Sequence, residues 1–202
     1  MSKQTLEIRI LSCGGMFDLM SEMEALFLVN SLGLYRNQTD WGRAVPRANA
    51  SLVRAYTSKD FYAALSDPGD ILHLIAHADA TTLKAGNGKS LVTAERVKVL
   101  AKGNSANVPS IVVSTGCSLQ SDEWQEALKE AGCRVLIASE DDVTPANLTA
   151  FDMAFYAALL TRVQKGRTTE ERVREAFKRA SRYYNGIHAA GTPHARFSLV
   201  TL

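Results

Sequence analysis

Cysteine is scarce in this chain and scattered: Cys13, Cys117 and Cys133 are odd in number and form no Cys-x-x-Cys pair. That excludes a disulfide framework and a thiolate zinc site, and leaves three reduced thiols. Long apolar runs are lacking too. No stretch approaches the roughly 20 apolar residues that spanning a bilayer requires, so no membrane segment or membrane partner is expected. The opening Met-Ser-Lys-Gln-Thr-Leu-Glu has neither the basic region nor the apolar core of a secretory signal, which makes the cytoplasm the expected location. Charge of one sign is not in excess: the net charge is +2, and the basic residues are spread rather than massed, so no nucleic-acid partner is expected. There is no Gly-x-Gly-x-x-Gly for a dinucleotide and no Gly-x-Ser-x-Gly for a serine-hydrolase elbow. No cofactor is expected. Repeats, low-complexity tracts and Pro/Gly/Ser linkers are also missing, so residues 1–202 read as a single domain with a hydrophobic share of 46% to build its core.

What is present is alternation. Leu6 to Leu11 is an apolar run, followed by Cys13-Gly14-Gly15 and then helix-like spacing from Met16 to Leu32. Residues 37–49 read as loop before a strand from Ser51 to Tyr56, and Ser58 reads as the cap of a short helix. Asp67-Pro68-Gly69-Asp70 is a turn, after which Ile71 to Ala76 is nearly all apolar, as in a strand covered on both faces. Asn87-Gly88 marks a small hairpin, leading to a helix from about Thr93 to Ala101. Ser110 to Ser114 is a further buried strand running into Cys117, with Ser121 capping the next helix and Gly132 ending it. Val135 to Ala138 follows as a strand, Thr144-Pro145 opens a long helix, and Thr168 with Glu171 forms a capping box for another. Phe197 to Leu202 closes as an edge strand. Strand and helix signals alternating in this way predict a three-layer α/β/α fold with a mostly parallel central sheet.

In such sheets the site lies beyond the carboxyl ends of the strands, which directs attention to Cys13, His77 and Cys117. A cysteine nucleophile needs a base to form the thiolate, and a helix N-terminus lowers its pKa further. Cys117 follows one buried strand and precedes a capped helix, while His77 ends another. Neighbouring strands lie about 4.8 Å apart, so matching ends bring such residues within side-chain reach.

Leu72-His73-Leu74-Ile75-Ala76-His77 followed by a hairpin, then Ile111-Val112-Val113-Ser114-Thr115-Gly116-Cys117-Ser118, resembles the histidine and cysteine blocks of caspase-like (clan CD) cysteine peptidases, particularly the bacterial CHAT group. Val135 to Ser139, the acidic loop and Ala154 to Leu160 are similar to the strand and helix that follow the cysteine in that group. The agreement in block order runs from about Ile71 to Ala180. The resemblance implies a caspase-like fold and a peptidase acting on a protein or peptide substrate, with Cys117 as nucleophile and His77 as general acid/base. Backbone N–H groups of Ala78 and Cys117 would form the oxyanion hole. Related enzymes that cut after Arg or Lys line the specificity pocket with a carboxylate, for which Asp79, Glu140, Asp141 and Asp142 are the candidates. Members are often controlled by another domain, so a regulatory partner acting in trans is expected.

One residue departs from the pattern: the family has glycine after the histidine, and this chain has Ala78, which keeps the N–H but disfavours positive φ. A second reading therefore stays open, a catalytically silent caspase-like module that binds a partner. A third is a flavodoxin-like ligand-binding domain. His73 and His77 form His-x-x-x-His, but on a strand they stand about 13 Å apart, too far to share an ion, so no metal site is expected. His73 reads as a satisfied core residue, Cys133 as core, and Cys13 as part of a turn. Gly88-Lys89-Ser90 imitates the end of a phosphate loop, yet Leu83 stands where that motif needs its first glycine.

Overall fold

Strands dense in Ile, Leu and Val cannot leave either face in water, and here both faces are covered by helices. The computed structural model describes residues 5–15, 18–34, 47–66, 69–86, 88–139, 142–160, 167–187 and 196–202. The main sheet holds β1 (Thr5–Ser12), β2 (Arg47–Arg54), β3 (Ile71–Ile75), β7 (Ile111–Ser114), β8 (Val135–Ser139) and β9 (Phe197–Thr201), in the order β2-β1-β3-β7-β8-β9. All neighbours are parallel except β9, which runs antiparallel to β8 at the edge. A second sheet of β4 (His77–Ala78), β5 (Thr82–Ala85) and β6 (Ser90–Thr93) sits at the carboxyl end of β3. The helices are α1 (Leu19–Gly33), α2 (Ser58–Ala64), α3 (Ala94–Lys102), α4 (Asp122–Glu130), α5 (Pro145–Leu160) and α6 (Thr169–Ile187).

Period-2 alternation sorts the strand residues between two cores. Leu72, Leu74, Val112 and Leu136 join Phe61 of α2, Val97 of α3 and Trp124 and Leu128 of α4. Ile71, Ile75, Ile111, Val113 and Ile137 join Leu28 of α1, Phe151 and Phe155 of α5 and Val173 of α6. The result is the expected three-layer arrangement. It also places fully buried His73 on the α1 and α5 side, because odd positions of β3 face that way.

Local differences from the expected boundaries have identifiable causes. α2 is capped by Thr57 rather than Ser58, since Thr57 and Asp60 form a reciprocal capping box. β2 begins at Arg47, earlier than expected, paired along β1 from its first residue. Asp67, Pro68 and Asn87 of the two expected turns lie outside the described residues. Thr168 and Glu171 do close a box before α6, the Glu171 N–H donating to Thr168 Oγ1 at 3.2 Å and the Thr168 N–H to Glu171 Oε2 at 2.8 Å.

A correction bears on the site. His77 does not end the buried strand: β3 stops at Ile75, and His77 and Ala78 form β4, paired with Lys84 and Leu83 of β5. The Asp79 turn is the reason, because it folds the chain back into the hairpin before the main sheet can extend.

From β1 the chain goes to β2 on one side, then returns to β3 on the other side of β1 and continues outward. The order reverses between β1 and β3, and in open α/β sheets the crevice at the carboxyl ends of such strands is where ligands bind.

Candidate active site

The exits of β1 and β3 are stitched together by backbone bonds. The Cys13 N–H donates to the Ile75 carbonyl at 2.8 Å, and the Cys13 carbonyl accepts from the Gly86 N–H at 3.0 Å. Cys13 is buried, burial pushes its thiol far up, and its role is that of the expected turn. Gly14 then lies so close to α1 that an added Cβ would fall 2.6 Å from Ser21 Cβ and 3.1 Å from Asp18 Oδ2. Close approach is what glycine permits here.

It lets Asp18, the N-cap of α1, sit at the crevice. Asp18 Oδ1 accepts from the Ser21 N–H at 3.2 Å and Oδ2 from the Ser21 hydroxyl at 2.7 Å. The same Oδ2 lies 2.9 Å from His77 Nε2. Burial pushes the Asp18 carboxyl up, but the Ser21 hydroxyl and amide and the His77 ring outweigh it and hold the carboxyl below its ordinary value. The histidine side chain is 65% exposed and Asp18 18%, so a half-buried carboxylate holds an imidazole that faces solvent. Holding Nε2 in this way leaves Nδ1 for chemistry.

Cys117 occupies the turn after β7, half-buried, four residues before the N-cap of α4 at Ser121. The last paired couple of β3 and β7 is Leu74 with Ser114, so His77 and Cys117 each stand three positions past it. The Thr115 N–H continues the ladder to the Leu74 carbonyl at 3.1 Å. An added Cβ on Gly116 would lie 3.0 Å from the Ala76 carbonyl oxygen, so the two exits touch through backbone. Cys117 Sγ accepts from the Val143 N–H of the loop after β8 at 3.4 Å. No hydrogen bond joins this sulfur to the His77 ring among the described residues. Ser118 adopts φ +53, a left-handed turn that ends the cysteine segment.

The histidine and cysteine loops are tied to one another. The Ser121 hydroxyl donates to the Ala80 carbonyl, and the Trp124 indole N–H donates to the Asp79 carbonyl at 3.1 Å. In β4, the Asp79 N–H bonds the Thr82 carbonyl at 2.8 Å, which makes Ala78 and Leu83 the non-hydrogen-bonded pair of the ladder. The Ala78 N–H therefore points away from β5. Ala78 has no positive φ, so alanine carries no backbone strain at this position.

Of the candidate pocket carboxylates, Asp79 turns back onto its own loop. It accepts from the Thr82 hydroxyl at 2.7 Å and from the Thr82 and Thr81 amides at 2.7 and 2.9 Å. Those donors, the Thr82 hydroxyl first, hold it down to about 2. Asp142 is exposed and adjoins Val143, while Glu140 and Asp141 lie outside the described residues. The residue that sequence reasoning missed is Asp18. The signal available was an Asp before an apolar-periodic segment, the mark of an N-cap.

Two of the solved structures that share this architecture serve to describe it. One is the X-ray structure of iotapain, a secreted C11 cysteine protease from Bacteroides thetaiotaomicron, with a TM-score of 0.60 at 12% identity over 98% of this chain and 66% of that one. The other is the separase–securin complex of Saccharomyces cerevisiae, with a TM-score of 0.50 at 15% identity over 100% of this chain and 12% of that one. The fold is caspase-like. At these identities what is shared is the fold, and the chain spans less than two thirds of either neighbour's length. No family model and no curated protein matches the sequence. Within the caspase-like arrangement, the crevice beyond β1, β3 and β7 holds a carboxylate, an imidazole and a thiol. That set is suited to nucleophilic catalysis, because the base is oriented by a third group.

Proposed function

We propose that this caspase-like chain is a cysteine endopeptidase of CHAT type that cuts a protein substrate after a basic residue in the cytoplasm. The observation that carries the reading is the 2.9 Å contact of Asp18 with His77 at the strand exit in register with Cys117. Cys117 Sγ gives its proton to His77 and attacks the scissile carbonyl carbon. The oxyanion is met by the Ala78 and Cys117 N–H groups. His77 then protonates the leaving amine, the carbon–nitrogen bond breaks, and water hydrolyses the thioester with His77 as base. Asp18 keeps the ring oriented throughout, as the third member that sequence reasoning lacked.

Asp142, beside the Val143 amide that touches the sulfur, is the favoured specificity carboxylate, with Glu140 and Asp141 in the same acidic loop. A carboxylate there pairs with an Arg side chain bidentately. Asp79 is less suited, since its oxygens already accept four hydrogen bonds from Thr81 and Thr82.

A peptidyl acyloxymethyl ketone with Arg before the warhead should alkylate Cys117 at neutral pH, and Cys117→Ala and His77→Ala should both abolish labelling. An otherwise identical probe with Asp in that position should label poorly. The peptidase reading fails if Cys117 is not selectively alkylated and Cys117→Ala leaves peptide hydrolysis unchanged. That outcome favours the second reading, a silent module that binds a partner, which the Val143 N–H on the Cys117 sulfur would suit. Control by a regulatory partner in trans is part of the proposal, and full-rate cleavage by the purified chain alone would refute it.

A further inference from the structure

Behind the crevice, on the α1 and α5 side of the sheet, three chemically potent side chains converge, and polar atoms of two of them, His73 and Asp152, lack a hydrogen-bond partner. His73 Nε2 lies 3.8 Å from Glu24 Oε1 and 3.7 Å from Asp152 Oδ2, and all three side chains are buried. These separations exceed hydrogen-bond length. His73 Nε2 and both carboxylate oxygens of Asp152 have no hydrogen-bond partner, although Asp152 and His73 are wholly inaccessible to solvent. Two carboxylates and an imidazole held this close and away from water need a proton or a cation to offset their charge.

We propose that Glu24, His73 and Asp152 form a binding site for a divalent transition-metal ion of the zinc type. One potential ligand atom from each residue lies within 4.8 Å of the others. Metal–oxygen and metal–nitrogen bonds of about 2.0–2.2 Å put tetrahedral ligands about 3.3–3.6 Å apart, so the histidine edges need close by only a few tenths of an ångström. One imidazole with two carboxylates suits zinc and its neighbours better than calcium or magnesium, which prefer oxygen alone.

The outer groups are arranged as metal ligands require. Tyr156 Oη is 2.8 Å from His73 Nδ1, so an Nδ1–H donated to it leaves the Nε2 lone pair facing the two carboxylates. The Thr115 hydroxyl donates to Glu24 Oε1 at 2.6 Å and orients that carboxylate. A cavity of about 220 Å³ between α1 and α5, walled by Asp152, Tyr156, Phe27, Leu32 and Met153, adjoins the cluster on its Asp152 side. Bound there, the ion clamps α1, β3 and α5 together. This inference does not depend on the peptidase reading.

The test uses the full chain carrying Cys117→Ala, which removes the thiol as a competing ligand. After incubation with Zn²⁺ and dialysis, elemental analysis should find about one ion per chain, and Zn²⁺ should raise the melting temperature. Co²⁺ should give visible d–d bands without the near-ultraviolet band of a thiolate ligand. Asp152→Asn and Glu24→Gln, near-isosteric changes, should lose the ion. Tyr156→Phe, which keeps the three ligands, should bind Zn²⁺ about 10–100-fold more weakly while retaining its circular dichroism. If the Cys117→Ala chain retains no Zn²⁺, or if Asp152→Asn and Tyr156→Phe bind it as tightly as that parent, the inference is overturned and the cluster is held by protons alone.

Discussion

In the proposed peptidase site, Asp18 stands beside the cysteine and the histidine. It caps α1 with the same carboxylate that touches His77, so one side chain serves a helix terminus and an imidazole. Asp18→Asn keeps an oxygen for the Ser21 amide but loses the negative charge and can present an amide N–H to the ring. We expect kcat to fall about 10²-fold with KM little changed, the pattern of a positioning residue for general acid–base chemistry. Asp18→Ser, which also caps, should leave thermal stability close to that of the parent while activity stays low. Steady-state kinetics on a fluorogenic peptide beside a melting curve separates the two roles. At position 78 the expected penalty for alanine does not arise, because Ala78 sits in a strand rather than in the positive-φ turn where glycine would be needed.

At the level of elements, the site depends on how β4 and α4 are joined. Ser121 uses one hydroxyl twice: it accepts from the Trp124 N–H to cap α4 and donates to the Ala80 carbonyl of the histidine loop. Ser121→Ala should cost about 1 kcal/mol in urea unfolding, the usual loss of an N-cap, and should also lower kcat/KM by loosening the histidine loop. Ser121→Thr should preserve both. A stability loss without any effect on activity would show that the tie to Ala80 has no part in placing His77. The Trp124 indole bond to Asp79 is a parallel tie, made by a side chain otherwise buried in the core.

Across the whole molecule, the two cores are unequal in chemistry. The face covered by α2, α3 and α4 is apolar up to the Trp124 ties, whereas the face covered by α1, α5 and α6 contains the Glu24, His73 and Asp152 cluster. Phe155 is fully buried there and stacks with Phe151 at 5.9 Å between ring centres. Phe155→Ala should destabilise the fold by about 3–5 kcal/mol, measured from denaturant midpoints, by leaving a cavity beside the sheet. Among the described residues no helix is long and apolar enough to cross a membrane.

Most of the fold was legible locally. Apolar runs, Ser121, the Thr168 and Glu171 box and the alternation of signals report on backbone preference and burial, which neighbouring residues decide. They were enough for the three-layer arrangement and for the positions of His77 and Cys117 near strand exits. They could not reveal that β3 stops at Ile75, because the Asp79 turn acts through hydrogen bonds to Thr81 and Thr82 that spacing does not display. Nor could they join Asp18 to His77, or His73 to Glu24 and Asp152. These partners come from different elements, and only the order β2-β1-β3-β7-β8 and the packing of α1 and α5 over one face bring them together. The strand exit carrying His77 was thus written in the sequence, while the carboxylate that orients its ring was chosen by the tertiary fold.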